Sequence, residues 1–250
     1  MNTTLRLLAV FACFATTALA ARFAESEKFS QTYPLTATGA LRLSNVNGDV
    51  DIVAWDRNEV LVEAEKRAET TADLARIHIV VDAQPDRLVV KSDHEKTGFF
   101  GTSIRGEVVY HLKVPAGISL EKIGVVNSGV TVRDLCGSVV LETVNGSIHA
   151  SGLGGDAKLA TVNGSIHAAF ASVSAGTHIT TGSVNGACEL SLPDGTGAHI
   201  DLSTVNGSTR CDFPVTIEKS GRTTLRGTIG DGGASLKAGT VNGSIRVVKL

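Results

Sequence analysis

Thr-Val-Asn-Gly-Ser-Ile stands at residues 143–148, again at 161–166, and a third time at 240–245. Its centre, Val-Asn-Gly, recurs with the asparagine at Asn47, Asn145, Asn163, Asn185, Asn206 and Asn242, and a Val-Asn-Ser-Gly variant adds Asn127. Copies of roughly 20 residues are too short to bury a face alone, so such a repeat implies an array in which neighbours complete one another's core. From Asn127 onward the intervals are 18, 18, 22, 21 and 36 residues. The last is wide enough for one further, degenerate copy around Gly230-Asp231-Gly232.

Aligned on the asparagine, the copies show columns. Six residues before it stand Val139, Ala157, Ile179, Ile200 and Leu236; four before stand Leu141, Leu159, Thr181, Leu202 and Ala238; the position before it is always Val. Three after it come Ile148, Ile166, Cys188, Thr209 and Ile245, and five after it Ala150, Ala168, Leu190, Cys211 and Val247. Polar residues intervene, so each copy reads as strand, turn, strand with period-two alternation. Asn and Gly both tolerate left-handed backbone, which makes the dipeptide a natural corner. Antiparallel hairpins use the same dipeptide. Recurrence of one residue in one column favours parallel stacking at ~4.8 Å.

The expected fold is therefore all-β: a β-solenoid, parallel β-helix-like, built on Val-Asn-Gly turns. Residues 118–250 hold the regular rungs. Residues 21–117 repeat less: LRLSNVNGDVDIVAW is followed by the strand-like EVLVEAEKRA, IHIVVDA, DRLVVKSD and EVVYHLKVP, and ETTADLARI has room for one helical turn. With no Pro- or Ser-rich linker between the parts, residues 21–250 are expected to form one β-strand-repeat domain.

The stretches NVNGDVDIVAWDRNEVLVEAEKRA, VVYHLKVPAGISLEKIGVVNSGVTV and GTIGDGGASLKAGTVNGSIRVV, with the TVNGSI repeats, resemble exported bacterial proteins of the DUF4097 family. The resemblance spans most of the chain beyond residue 20. It implies a β-strand-repeat solenoid at the cell envelope and an adhesin-like role. Its motifs are turns and strands, so it carries no catalytic residue over to this chain.

Residues 1–20, MNTTLRLLAVFACFATTALA, have one cation, Arg6, an apolar run, and the small-x-small triplet Ala18-Leu19-Ala20. This is the pattern of a cleavable signal peptide, with the mature chain starting at Ala21 and a periplasmic or extracellular destination. Lipid attachment at Cys13 is the alternative, weakened by bulky Phe11 and a short apolar stretch. Removing Arg6 leaves 22 basic against 25 acidic residues, without the basic stripe that nucleic acid or anionic lipid requires. No later segment reaches the ~20 apolar residues of a membrane helix, and no C-terminal anchor is expected. Cys136, Cys188 and Cys211 remain after processing, an odd number that argues against a disulfide scaffold. Reckoned on adjacent rungs, Cys188 and Cys211 fall about 8 Å apart, too far for a bond.

The asparagines Asn127, Asn145, Asn163, Asn185, Asn206 and Asn242 are expected to form a structural turn ladder, their amides bonding one another and the backbone. Outward-facing columns hold His149, His167 and Glu189, then Arg210 and Arg246, and separately His178 and His199 with Asp201 nearby. Two imidazoles and a carboxylate on neighbouring rungs are the low-ranking metal candidates, disfavoured by the arginines that follow. Acids are scattered singly, no G-x-S-x-G or phosphate-binding lysine loop occurs, and the repeats contain only Phe170 and Phe213 as aromatics. Trp55 is expected to cap the first rung rather than stack on a sugar. These features point to a non-enzymatic envelope protein without cofactor, an adhesin or scaffold binding an unspecified protein or glycan across a flat repetitive face. A carbohydrate-binding or carbohydrate-processing β-helix is the alternative, and a periplasmic metal or stress sensor a weaker one.

Overall fold

The computed structural model describes residues 23–95 and 105–250. The signal-peptide reading of residues 1–20, with Cys13 and the start at Ala21, lies outside the described residues. The described residues are all-β apart from α1 (Thr71–Leu74), one turn capped by Thr70, whose hydroxyl accepts the Asp73 N–H at 3.1 Å.

Repeat-bearing strands alternate between two sheets because each Asn-Gly corner turns the chain from one to the other. The eleven-stranded sheet receives β2 (Ala40–Asn45), β8 (Ser119–Val125), β10 (Val139–Asn145), β12 (Ala157–Asn163), β14 (His178–Asn185), β16 (Ala198–Asn206) and β20 (Ala234–Asn242). The ten-stranded sheet receives the strands that follow each corner: β3 (Val50–Trp55), β9 (Val130–Arg133), β11 (Ile148–Leu153), β13 (Ile166–Phe170), β15 (Cys188–Leu192), β17 (Thr209–Cys211) and β21 (Ile245–Lys249). Pairing between successive repeats is parallel and keeps like beside like: Ile148 opposite Ile166, Ile166 opposite Cys188, Leu141 opposite Leu159.

The stacking order departs from chain order. β20 lies between β14 and β16, and β21 between β15 and β17, so the last repeat inserts between its two predecessors. The 36-residue interval holds no degenerate copy. It forms an antiparallel hairpin, β18 (Val215–Ser220) and β19 (Thr224–Ile229), laid against β16; Gly230-Asp231-Gly232 is the turn that leads from it into β20. The reason is directional: a strand that must return to fill a vacant neighbour position first needs a reversal, and an antiparallel hairpin supplies it. At the other end β1 (Glu25–Pro34), β4 (Glu59–Ala68) and β7 (Gly106–Pro115) extend the ten-stranded sheet, while β5 (Ile77–Gln84) and β6 (Arg87–His94) extend the other.

One apolar cluster runs between the inner faces, with Ile148, Ile166, Cys188 and Ile245 fully buried in a single column. Among the described residues Tyr110 is the largest wholly buried side chain, its hydroxyl 2.8 Å from that of Ser92. Aliphatic side chains in register fill this core at an even thickness, so few aromatics are needed.

Candidate functional site

The corner between the sheets is the most regular surface of the molecule. Asn47, Asn127, Asn145, Asn163, Asn185, Asn242 and Asn206 follow one another in space, and each Nδ2 from Asn127 on donates to the Oδ1 of the preceding asparagine at 2.8–3.0 Å. Asn47 ends the series by donating to the Gly106 carbonyl at 3.2 Å. All six links point the same way, toward Asn47. A ladder of this kind aligns its amide dipoles, and each bond polarises the next.

Glycine follows asparagine for a reason other than the left-handed backbone expected. Of the corner glycines only Gly48 has positive φ, 103°. A Cβ at Gly146, Gly164 or Gly186 would lie 1.9–2.0 Å from the carbonyl oxygen of the neighbouring rung. Close approach of rung to rung selects glycine there.

The valine before each asparagine faces outward, contrary to its place among the apolar columns. Six of these valines, in order Val46, Val126, Val144, Val162, Val184 and Val241, are 38–41% exposed, and Val205 is 65% exposed. The inward position is two before the asparagine, where a hydroxyl stands. Thr143, Thr161, Ser183, Thr240 and Thr204 donate to the carbonyls of Ser128, Gly146, Gly164, Gly186 and Gly243 at 2.8–3.1 Å, tying each corner to the rung beside it. In the first repeat Asn45 takes this place and donates to the carbonyls of Asn47, Gly48 and Val108. The recurring Thr or Ser at one offset is the sequence signal for this column.

On the outer face of the ten-stranded sheet, His149 and His167 stack with ring centroids 5.2 Å apart and planes within 1°. The His167 Nδ1 is 3.9 Å from Glu189. These three residues share a shallow depression of about 310 Å³ with Ser151, Ala169 and Arg133. Arg246 is next in the column and Arg210 after it, the reverse of their order in the chain. Among the described residues no group of three or more His, Cys, Asp or Glu is gathered to hold a metal ion. The inserted repeat also separates His178 from His199, since Ser235 pairs with both.

The same insertion places Cys188 and Cys211 two rungs apart rather than on adjacent rungs, with β21 between them. All three described cysteines are free thiols. Burial pushes the Cys188 thiol up to about 11. Trp55 is half-buried at the end of β3, its indole N–H donating to the Glu59 carbonyl at 2.8 Å and Arg57 lying over its ring. A polar cleft of about 590 Å³ opens at the Asn47 end of the ladder beside Asn127, Glu69 and Glu107. Elsewhere on the surface, the hydrogen bond from the Arg67 guanidinium holds Glu65 below the usual carboxylate range, and Arg42 with Arg87 does the same for Glu121.

No helix among the described residues is long and apolar enough to cross a membrane. No curated protein matches the chain. The fold is similar to that of a protein from Clostridium sporogenes provisionally called a cell adhesion protein, at 10% identity and a TM-score of 0.51, covering 90% of this chain and 100% of that one. Weaker likenesses are to a provisionally named adhesin from Bacteroides fragilis, with 11% identity, TM-score 0.41 and coverages of 89% and 97%, and to a provisionally named lipid-binding protein from Parabacteroides distasonis, with 11% identity, TM-score 0.30 and coverages of 88% and 96%. Residues 128–248, which hold the regular corners from Ser128 onward, match the Toastrack DUF4097 model, and that part of the chain belongs to the family.

Proposed function

We propose that this protein is exported and acts without catalysis, as an attachment or scaffold module of the cell envelope whose β-solenoid offers a ligand the same side chains on rung after rung. The observation that carries this reading is the unbroken asparagine ladder. It keeps seven corners in register and so turns short-range repetition into a surface with long-range order. The Clostridium sporogenes neighbour is provisionally called a cell adhesion protein, which agrees with the same role. Residues 21–250 act as one domain in this view, since a single apolar cluster joins the irregular strands to the regular rungs.

Support for catalysis is weak in the depression on the ten-stranded sheet, where His149 and His167 stack face to face and the column runs on through Glu189 to the cations Arg246 and Arg210. The reading is tested by binding of the purified mature chain to envelope preparations, run beside hydrolysis assays on the same material and mass spectrometry of the secreted N-terminus. Saturable retention without turnover, with the chain beginning at Ala21, is expected. Turnover abolished by replacing His149, His167 or Glu189 would overturn it.

A further inference from the structure

We propose that the outer face of the eleven-stranded sheet binds an acidic polysaccharide, laid across the strands in an open trough between a row of valines and a row of lysines. This rests on the attachment reading above and gives it a face and a ligand class.

The floor of the trough is Ala160, Gly182 and Gly239, three residues before successive asparagines and directly opposite one another in β12, β14 and β20. These glycines differ from those at the corners. Neither has positive φ. A Cβ on Gly182 would meet no atom within 4 Å, and on Gly239 only the Ser203 carbonyl oxygen at 4.0 Å. Glycine weakens a strand interior, and where nothing inside the protein demands it, a bare backbone marks close approach from outside.

One wall is apolar. Val162, Val184 and Val241 stand half-exposed along the corner side of the floor. The other wall is cationic, with Lys158, Thr180 and Lys237 in register on the far side; Asp201 continues the row beside Lys237, its carboxylate engaged by Arg226. Arg42, Lys122 and Arg226 on the same sheet are paired with Glu121, Glu142 and Asp201. Among the described residues Lys158 and Lys237 have no such ion pair, and both are exposed. The nearby Asp156 is turned to the His178 backbone, whose N–H it accepts at 2.8 Å. The positive charge left over therefore lies along one edge, at two points about 10 Å apart.

That pattern selects the occupant. A fatty acyl chain needs enclosure, and an open trough leaves it half in water. Single-stranded nucleic acid needs aromatic platforms, and the floor has none. A polysaccharide of uronic acids combines carboxylates with C–H surface, and in an extended two-fold chain every second carboxylate falls on the same edge, a spacing of roughly two rungs that suits Lys158 and Lys237. From Ala160 to Ser203 the trough runs about 14 Å, room for a few sugar residues. Each contact is modest, so affinity comes from their number and falls with salt.

The full mature chain is titrated with polygalacturonate and with uncharged dextran, and separately with vesicles of anionic phospholipid. Binding to polygalacturonate alone, weakening as salt rises, is expected. The double variant Gly182→Leu/Gly239→Leu, which fills the floor, and Lys158→Glu/Lys237→Glu, which reverses the charged wall, should each lose about tenfold or more in affinity. Ala169→Leu on the opposite sheet should change nothing. Circular dichroism and melting check that each variant folds, and Gly182→Ser with Gly239→Ser gives a milder pair whose smaller loss should follow the same direction. Equal binding of dextran, preference for vesicles, no binding of polygalacturonate, or unchanged affinity in both double variants overturns the proposal. Envelope retention that persists undiminished in those variants removes the trough and leaves the attachment reading standing. Absence of envelope retention in the wild type removes both.

Discussion

Asn163 donates its side-chain amide to Asn145 at 2.8 Å and accepts that of Asn185 at 2.9 Å, so it is a link with a bond on each side. Asn206, at the far end of the ladder, makes one such bond only. Asn163→Ala should therefore cost about 1–2 kcal/mol in urea unfolding and Asn206→Ala about half of that. Asn163→Asp should cost at least as much as the alanine, because an ionised carboxylate cannot donate to the Asn145 oxygen. Equal costs at the middle and the end would show that the amides do not act in series.

Asn45 is a more demanding member of its column than the hydroxyls it replaces. It is almost fully buried, and its Nδ2 serves three carbonyls, at 2.7–3.0 Å. Asn45→Ala should destabilise by about 2–4 kcal/mol, since buried acceptors lose their donor. Thr161→Val, which strips one donor from one carbonyl, should cost about 1 kcal/mol by the same measurement.

The core predicts losses and one gain. Ile166→Asp would place a charge in a column with no exposure and no cation, and the chain should fail to fold or lose more than about 4 kcal/mol. Thr181 sits where other repeats have Leu or Ala, and its hydroxyl faces only the Cys188 thiol, with no nitrogen or oxygen partner among the described residues. Thr181→Val should raise stability by about 1 kcal/mol. A loss in chemical denaturation would show that the hydroxyl has a role the packing does not reveal.

Alkaline pH should unfold the protein through two buried groups. Burial pushes the Cys188 thiol up to about 11 from 9.0, and the Tyr110 hydroxyl up to about 12 from 10.0. Both folded values lie above the unfolded ones, so their stabilisation is complete below pH 9 and is lost as pH climbs through 11 and 12. The unfolding free energy should be level to about pH 9 and then drop by on the order of 2–3 kcal/mol per group. Cys188→Ala should remove the earlier part of the decline, and alkylation of this thiol in the folded protein at pH 8 should be far slower than that of exposed Cys136.

The all-β class was legible because alternation around each asparagine repeats at fixed offsets, and Ile148, Ile166 and Cys188 stand on the inward parity of that pattern. Three things were hidden. The valine looked like core because it is invariant and apolar, yet the chain bends between Thr161 and Asn163 so that the hydroxyl turns in and Val162 turns out. Spacing alone reported that the Asn206 to Asn242 interval was long; it did not state that β18 and β19 reverse the chain. Adjacency in sequence therefore misplaced Cys211, Arg246, Arg210, His178 and His199 relative to their neighbours. The trough was hidden for a further reason: Gly182 and Gly239 share one offset from their asparagines, but their common face emerges only once β20 is placed beside β14.

The inserted repeat gives the molecule an order of assembly. β16, β17 and the β18–β19 hairpin emerge from synthesis or export before β20, yet β20 and β21 are the strands through which they reach the rest of the stack. Residues 234–250 are thus a keystone, set last and in the middle. Until they arrive the stack ends at β14 and β15, and β16 with the hairpin laid against it has no strand joining it to that stack. A chain cut short before Ala234 should lose two rungs instead of one, so a premature stop or a proteolytic nick near Gly233 is converted from a trimmed end into an open break.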